Sequence, residues 1–83
     1  MNLLTPDELS QVQLIVENAH REGWIRADAE LATDPRESSV RVIVTLGTNI
    51  VEKAYTRDDR WPFLLLRDLA WGSFRTWSTQ RPV

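Results

Sequence analysis

The strongest constraint on the fold comes from two strand-like segments in the middle of the chain, joined by a short turn. Residues 39–46, SVRVIVTL, carry valine or leucine at every second position, and this period of two is typical of a strand with one buried face. Residues 47–49, GTN, suit a tight hairpin connection, and residues 50–56, IVEKAYT, predict the returning strand. The returning strand is mixed on both faces, which leaves its orientation open. The sequence therefore predicts an antiparallel hairpin that requires a hydrophobic layer against one face.

A helix is predicted ahead of this hairpin. Thr5 has the position of an N-cap, Pro6 suits the first helical residue, and Glu8 completes a capping box. Gly23 is a typical stop signal, so the helix is expected to run from about Pro6 to Glu22.

The segment between this helix and the hairpin predicts one more strand. Residues 24–31, WIRADAEL, alternate apolar and charged positions. Residues 33–39, TDPRESS, have the composition of a turn. With the hairpin, this strand would complete a three-stranded antiparallel meander.

The last predicted element is a helix whose apolar residues run almost all the way round. Residues 61–77 read WPFLLLRDLAWGSFRTW, Pro62 suits the first helical position, and the helix is expected to end near Trp77 or Ser78. The side expected to face the core carries Pro62, Phe63, Leu66, Leu69, Ala70, Ser73, Phe74 and Trp77. The other side carries Leu64, Arg67, Asp68, Trp71 and Arg75.

This second side predicts a contact surface. Tryptophan and arginine around a leucine are typical of interface hot spots and unusual on a solvated helix. Leu64 and Trp71 would be apolar anchors, and Arg67 and Arg75 would contact carboxylates of a partner. Three alternatives stay open: the first helix covers Trp71 within the monomer, the face meets a second copy, or it meets a different macromolecule.

The predicted fold is a small single α+β domain, residues 1–83. Its elements follow the order α-β-β-β-α, with a three-stranded antiparallel sheet and two helices packed on one face. Residues 79–83 are expected to form a loose tail.

Composition and charge favour a cytoplasmic protein that does not enter a membrane. The chain has no cysteine and no apolar run of membrane-spanning length, and residues 1–10 lack the basic and apolar segments of a signal peptide. The net charge is −2, but residues 1–38 carry eight acids against three arginines, whereas residues 39–83 carry four acids against seven bases. The acidic half could steer association with a basic partner.

The residue types argue against catalysis and against a cofactor or metal site. His20 is the only histidine and lies near the end of the first helix, so we interpret it as structural. No cysteine or second histidine completes a zinc site, and the glycines form no phosphate-binding loop.

The α-β-β-β-α order is similar to that of double-stranded-RNA-binding domains. Those domains carry a lysine-rich stretch at the start of the second helix, where this chain has RDDRWPF, residues 57–63, with two arginines offset by two aspartates. A nucleic-acid face could instead use the open side of the sheet through Arg41, Lys53, Tyr55 and Arg57, with Tyr55 stacking on a base. This is the alternative function.

The function expected from the sequence is non-catalytic protein–protein interaction, with a partner protein, a second copy, or both. In size and composition the chain is similar to accessory proteins of phages and mobile elements, some of which inhibit host complexes by occluding a surface. That likeness makes inhibition of a host complex the specific expectation.

Overall fold

A computed structural model describes residues 3–80 as two layers, a sheet and a pair of helices. In chain order the elements are α1 (Pro6–Arg21), β1 (Glu30–Pro35), β2 (Ser39–Leu46), β3 (Asn49–Thr56), α2 (Trp61–Ala70), a single 3-10 turn (Ser73–Thr76) and β4 (Ser78–Gln80). The predicted α+β fold and its α-β-β-β-α order are confirmed. The Cα atoms fill a slab of 31 × 29 × 18 Å.

The sheet is an antiparallel meander in the order β1-β2-β3-β4. The predicted hairpin is present, with Val44 opposite Val51 and Val40 opposite Tyr55, so β3 turns Val51 and Tyr55 toward the helices. A fourth strand, which the sequence analysis did not predict, pairs Ser78–Gln80 with Ile50–Glu52. Residues 79 and 80 of the predicted tail lie in this strand, and residues 81–83 lie outside the described part of the chain. The residues of β4, Ser78–Gln80, are all polar and show no alternation, so the sequence gives no strand signal there.

The first strand lies further along the chain than predicted. It spans Glu30–Pro35, whereas the alternation had placed it at residues 24–31. Ile25 and Ala29 are buried as the alternation suggested, but in a loop. The backbone N–H groups of Trp24 and Ile25 both point to the Ala19 carbonyl oxygen and turn the chain back under the end of α1. Turn hydrogen bonds at the helix end therefore override the period of two.

Both helices pack on the same face of the sheet and share one core with it. From α1 the buried residues are Val12, Ile15 and Ala19, and from α2 the fully buried leucines are Leu65 and Leu69. Burying each of these leucines stabilises the fold by roughly 1.5–3 kcal/mol. The opposite face of the sheet has no helix against it among residues 3–80.

The start of α1 is fastened to the rest of the molecule through Glu8. The capping box forms as predicted, because Glu8 accepts from the Thr5 backbone N–H and Thr5 accepts from that of Glu8. The Glu8 carboxylate also accepts from Arg57 Nη2 at 2.7 Å, from Arg57 Nε at 3.1 Å and from Trp61 Nε1 at 3.0 Å. The side chains of Glu8 and Arg57 are only 15% and 14% exposed. Glu8 therefore joins α1, the end of β3 and the start of α2.

These contacts lower the pKa of Glu8 from its ordinary 4.5 to about 2, chiefly through the hydrogen bonds from Arg57. A lowered folded-state pKa means that this stabilisation is complete above pH 4.5 and is lost as the pH falls toward 2. We expect the free energy of unfolding to decrease by about 1–2 kcal/mol over that range on account of Glu8, because solvent screens part of its interaction with Arg57. Urea unfolding followed by tryptophan fluorescence at a series of pH values measures the decrease. Glu8→Gln should lack this part of the acid slope, and equal slopes for both proteins would contradict the prediction.

Candidate functional site

The buried side of α2 differs from the side that the helical wheel predicted. Trp61, Leu65 and Leu69 are fully buried, whereas Phe63, expected in the core, is 66% exposed. The phase is set by Trp61, which lies in the first turn of the helix and whose indole N–H donates to Glu8. The prediction began the helix at Pro62 and so left out the residue that orients it.

The second helix also ends earlier than predicted. It stops at Ala70, because Gly72 adopts φ +74°, a left-handed conformation that ends helices and that other residues rarely adopt. Phe74 and Trp77 do reach the core as expected, but from the 3-10 turn and its end. The glycine therefore separates Trp71, which faces outward, from the aromatic residues that follow.

A row of exposed side chains results on the outside of α2. Phe63, Arg67 and Trp71 lie at i, i+4 and i+8, and we call these three residues the stripe. Trp71 is 77% exposed, and Arg67 Cζ lies 6.0 Å from the centre of its ring, within cation–π range. The alternative in which α1 covers Trp71 is therefore wrong.

A shallow groove runs between the two helices beside the stripe. Its volume is about 290 Å³. The residues that line this groove are Gln11, Leu14, Ile15 and Asn18 from α1 and Pro62, Phe63 and Leu66 from α2. Leu14 and Phe63 stand on opposite walls, and Leu14 is 61% exposed. The stripe and the groove share Phe63, and we call the two together the apolar surface. The outer side of α1 and α2, on which it lies, is called the helical face.

The structure brings together only part of the predicted contact set. Arg67 and Trp71 lie side by side on the helical face, and Arg75 is exposed on the 3-10 turn, 5.8 Å from the ring of Phe74. Leu64 is half-buried and packs against the core.

Asp68 corrects the predicted set, because it belongs to the interior. It is 5% exposed, and its Oδ2 accepts from the Tyr55 hydroxyl at 2.6 Å and from Lys53 Nζ at 3.2 Å. Burial, reinforced by the hydrogen bond to Asp68, raises the pKa of Tyr55 well above its ordinary range. The aspartate therefore fastens α2 to β3.

The four residues of the predicted nucleic-acid face do not share one face. Arg41 lies on the open side of the sheet, where its guanidinium is 3.0 Å from Asp34 and 3.4 Å from Glu52. Lys53 and Tyr55 lie on the helix-facing side with Asp68, and Arg57 lies in the contact with Glu8. The open side thus carries a paired arginine rather than a row of free cations.

Sequence reasoning missed two members of the apolar surface, Phe63 and Leu14. Leu14 stands out on the helical wheel of α1 as a leucine among polar residues, but a single exposed leucine is common. Leu14 indicates a contact surface only together with an exposed Phe63. A helical wheel places Phe63 on the outer side only when Trp61 is included as a buried residue of the helix.

His20, the one histidine, has a structural contact. Its Nε2 lies 3.0 Å from the Ala29 carbonyl oxygen and donates to it when that nitrogen carries the proton. Among residues 3–80 no three acidic, histidine or cysteine side chains are grouped as a metal site would require. Neither helix in this part of the chain has the length and apolar composition to cross a membrane.

Comparison of the chain with protein families, with curated proteins and with solved structures gave no match.

Proposed function

We propose that this chain is a non-catalytic protein–protein interaction module of the cytoplasm, and that the stripe and the groove form its contact surface. Among such modules, the role of a small inhibitor that occludes a surface of a larger complex, as some phage accessory proteins do, fits a compact domain with an exposed aromatic surface.

The observation that supports the proposal most directly is the exposure of Trp71. An indole that is 77% exposed gains almost nothing from the fold of its own chain, since burial is what makes aromatic residues stabilising. Phe63 and Leu14 add two more large apolar side chains that are 66% and 61% exposed, and exposed apolar surface of this kind often marks a contact site.

The charges next to this surface suggest the chemistry of the contact. Arg67 is about half exposed and is held over Trp71. Tryptophan and arginine are the residues most enriched among interface hot spots, and a guanidinium forms strong paired hydrogen bonds with carboxylates. The surface is therefore suited to an apolar segment that carries acidic residues.

We expect Trp71→Ala to weaken binding of the partner by roughly 30-fold or more, as hot-spot truncations do. The same change should alter the free energy of unfolding by less than about 0.5 kcal/mol, because the side chain is mostly in water. The tagged protein is first used to retain its binding partner, with an untagged copy of the chain included as one possible partner. The purified partner is then titrated with each variant by calorimetry.

Arg26→Ala provides the matched control. It removes an arginine that is 76% exposed in the loop between α1 and β1, and binding should be unchanged. Equal binding by the wild type and Trp71→Ala would contradict the proposal. Retention of nucleic acid that weakens steeply with salt would favour the alternative function instead.

A further inference from the structure

We infer that the helical face binds a second copy of the same chain, as a two-fold dimer in which α1 of each protomer lies against α2 of the other. This inference rests on the proposed function and names the partner of that surface.

The two helices run in the same direction along the face. Their starts are adjacent, because Trp61 in the first turn of α2 donates to Glu8 in the first turn of α1. Leu14, six residues after Glu8, and Phe63, two residues after Trp61, line the same groove from opposite helices. A two-fold axis parallel to the groove therefore places the α1 of one copy over the α2 of the other with matching direction, and brings each Leu14 against the groove of the second copy, which Phe63 helps to line.

The exposed charges on the two helices are complementary in this arrangement. Glu17 lies one turn after Leu14, on the side of α1 that faces away from the sheet. Arg67 lies one turn after Phe63, on the corresponding side of α2. The rotation puts Glu17 of each copy near Arg67 of the other, so that the same opposite-charge pair forms twice.

The neighbouring charges of both helices have partners within their own chain. Arg21, in the last turn of α1, lies 3.8 Å from Glu22 and donates to Asn18. Asp68 of α2 is buried with Lys53, and the Nε of Arg67, an exposed residue, lies 4.0 Å from Asp68. The slab measures 31 × 29 Å across, so a standard interface of roughly 800 Å² per partner would take up most of one face.

Reciprocal charge reversal tests the dimer. We expect the wild type to dimerise in sedimentation equilibrium, and Arg67→Glu or Glu17→Arg alone to weaken the dimer by about tenfold or more, since each places like charges opposite one another twice. The double variant Glu17→Arg with Arg67→Glu restores opposite charges and should recover the dimer to within about threefold. Both residues are exposed, so circular dichroism should show the same fold in all four proteins.

Three results would overturn the inference: a wild type that stays monomeric at about 100 μM, a double variant as weak as the single ones, or a dimer that Phe63→Ala leaves intact. A monomeric wild type that still binds another protein through Trp71 would remove the dimer and leave the proposed function standing. A monomeric wild type that binds no other protein through Trp71 would contradict both the dimer and the proposed function.

Discussion

Glu8→Ala should lower the free energy of unfolding by about 2–4 kcal/mol, because it removes a helix cap together with charge-assisted hydrogen bonds. The change removes the carboxylate from Arg57, whose guanidinium keeps only its hydrogen bonds to the carbonyl oxygens of Arg36 and Leu3. It also removes the acceptor for the indole N–H of Trp61 and half of the capping box. A domain of this size has a total stability of roughly 5–15 kcal/mol, so the loss is a large share.

Urea unfolding at pH 7 measures the effect, with Asp7→Ala as the control. Asp7 is the neighbouring acid in the first turn of α1, but it is exposed, and its removal should cost less than about 1 kcal/mol. A similar loss in the two variants would show that the buried contact with Arg57 contributes little beyond the charge at the helix start.

Asp68→Leu should lower the free energy of unfolding by about 2–4 kcal/mol, although the new side chain is apolar and branches at the same carbon. The cost arises because the hydroxyl of Tyr55, a buried residue, loses its acceptor. Lys53 contributes less to the loss, since its side chain is 43% exposed and can turn to water.

The double variant Tyr55→Phe with Asp68→Leu separates these causes. It removes the hydroxyl together with its acceptor, and replacing both partners of a buried hydrogen bond by apolar groups can be nearly neutral. We therefore expect the double variant to recover most of the lost stability in thermal unfolding. If Asp68→Leu weakened binding and left stability unchanged, the sequence-based placement of Asp68 on the contact surface would be the better one.

The elements with local signals were predictable from the sequence. The first helix begins where Thr5 and Glu8 place it, and the hairpin follows the alternation of residues 39–46. In both cases the residues that decide the structure are close in sequence. The first strand was misplaced, because Trp24 and Ile25 bond to a carbonyl at the end of α1, a contact that alternation does not encode.

The orientation of α2 depends on contacts across the whole chain, and the sequence could not supply them. Trp61 is oriented by Glu8, 53 positions away, and Asp68 is held by Tyr55, 13 positions away. A helical wheel assumes that charges face water and that aromatic residues face the core. Asp68 and Phe63 reverse both assumptions, which explains why the predicted surface kept Arg67 and Trp71 but lost Leu64 and Asp68.

The contact made by Glu8 has a consequence for recognition. Because it joins both helices at their starts and ties them to the end of β3, the two walls of the groove cannot separate there without breaking a nearly buried ion pair. A ligand seated on the helices would therefore meet a preorganised platform and would lose little conformational entropy in ordering it. Association should then proceed without a slow rearrangement step, at a rate governed by diffusion and orientation.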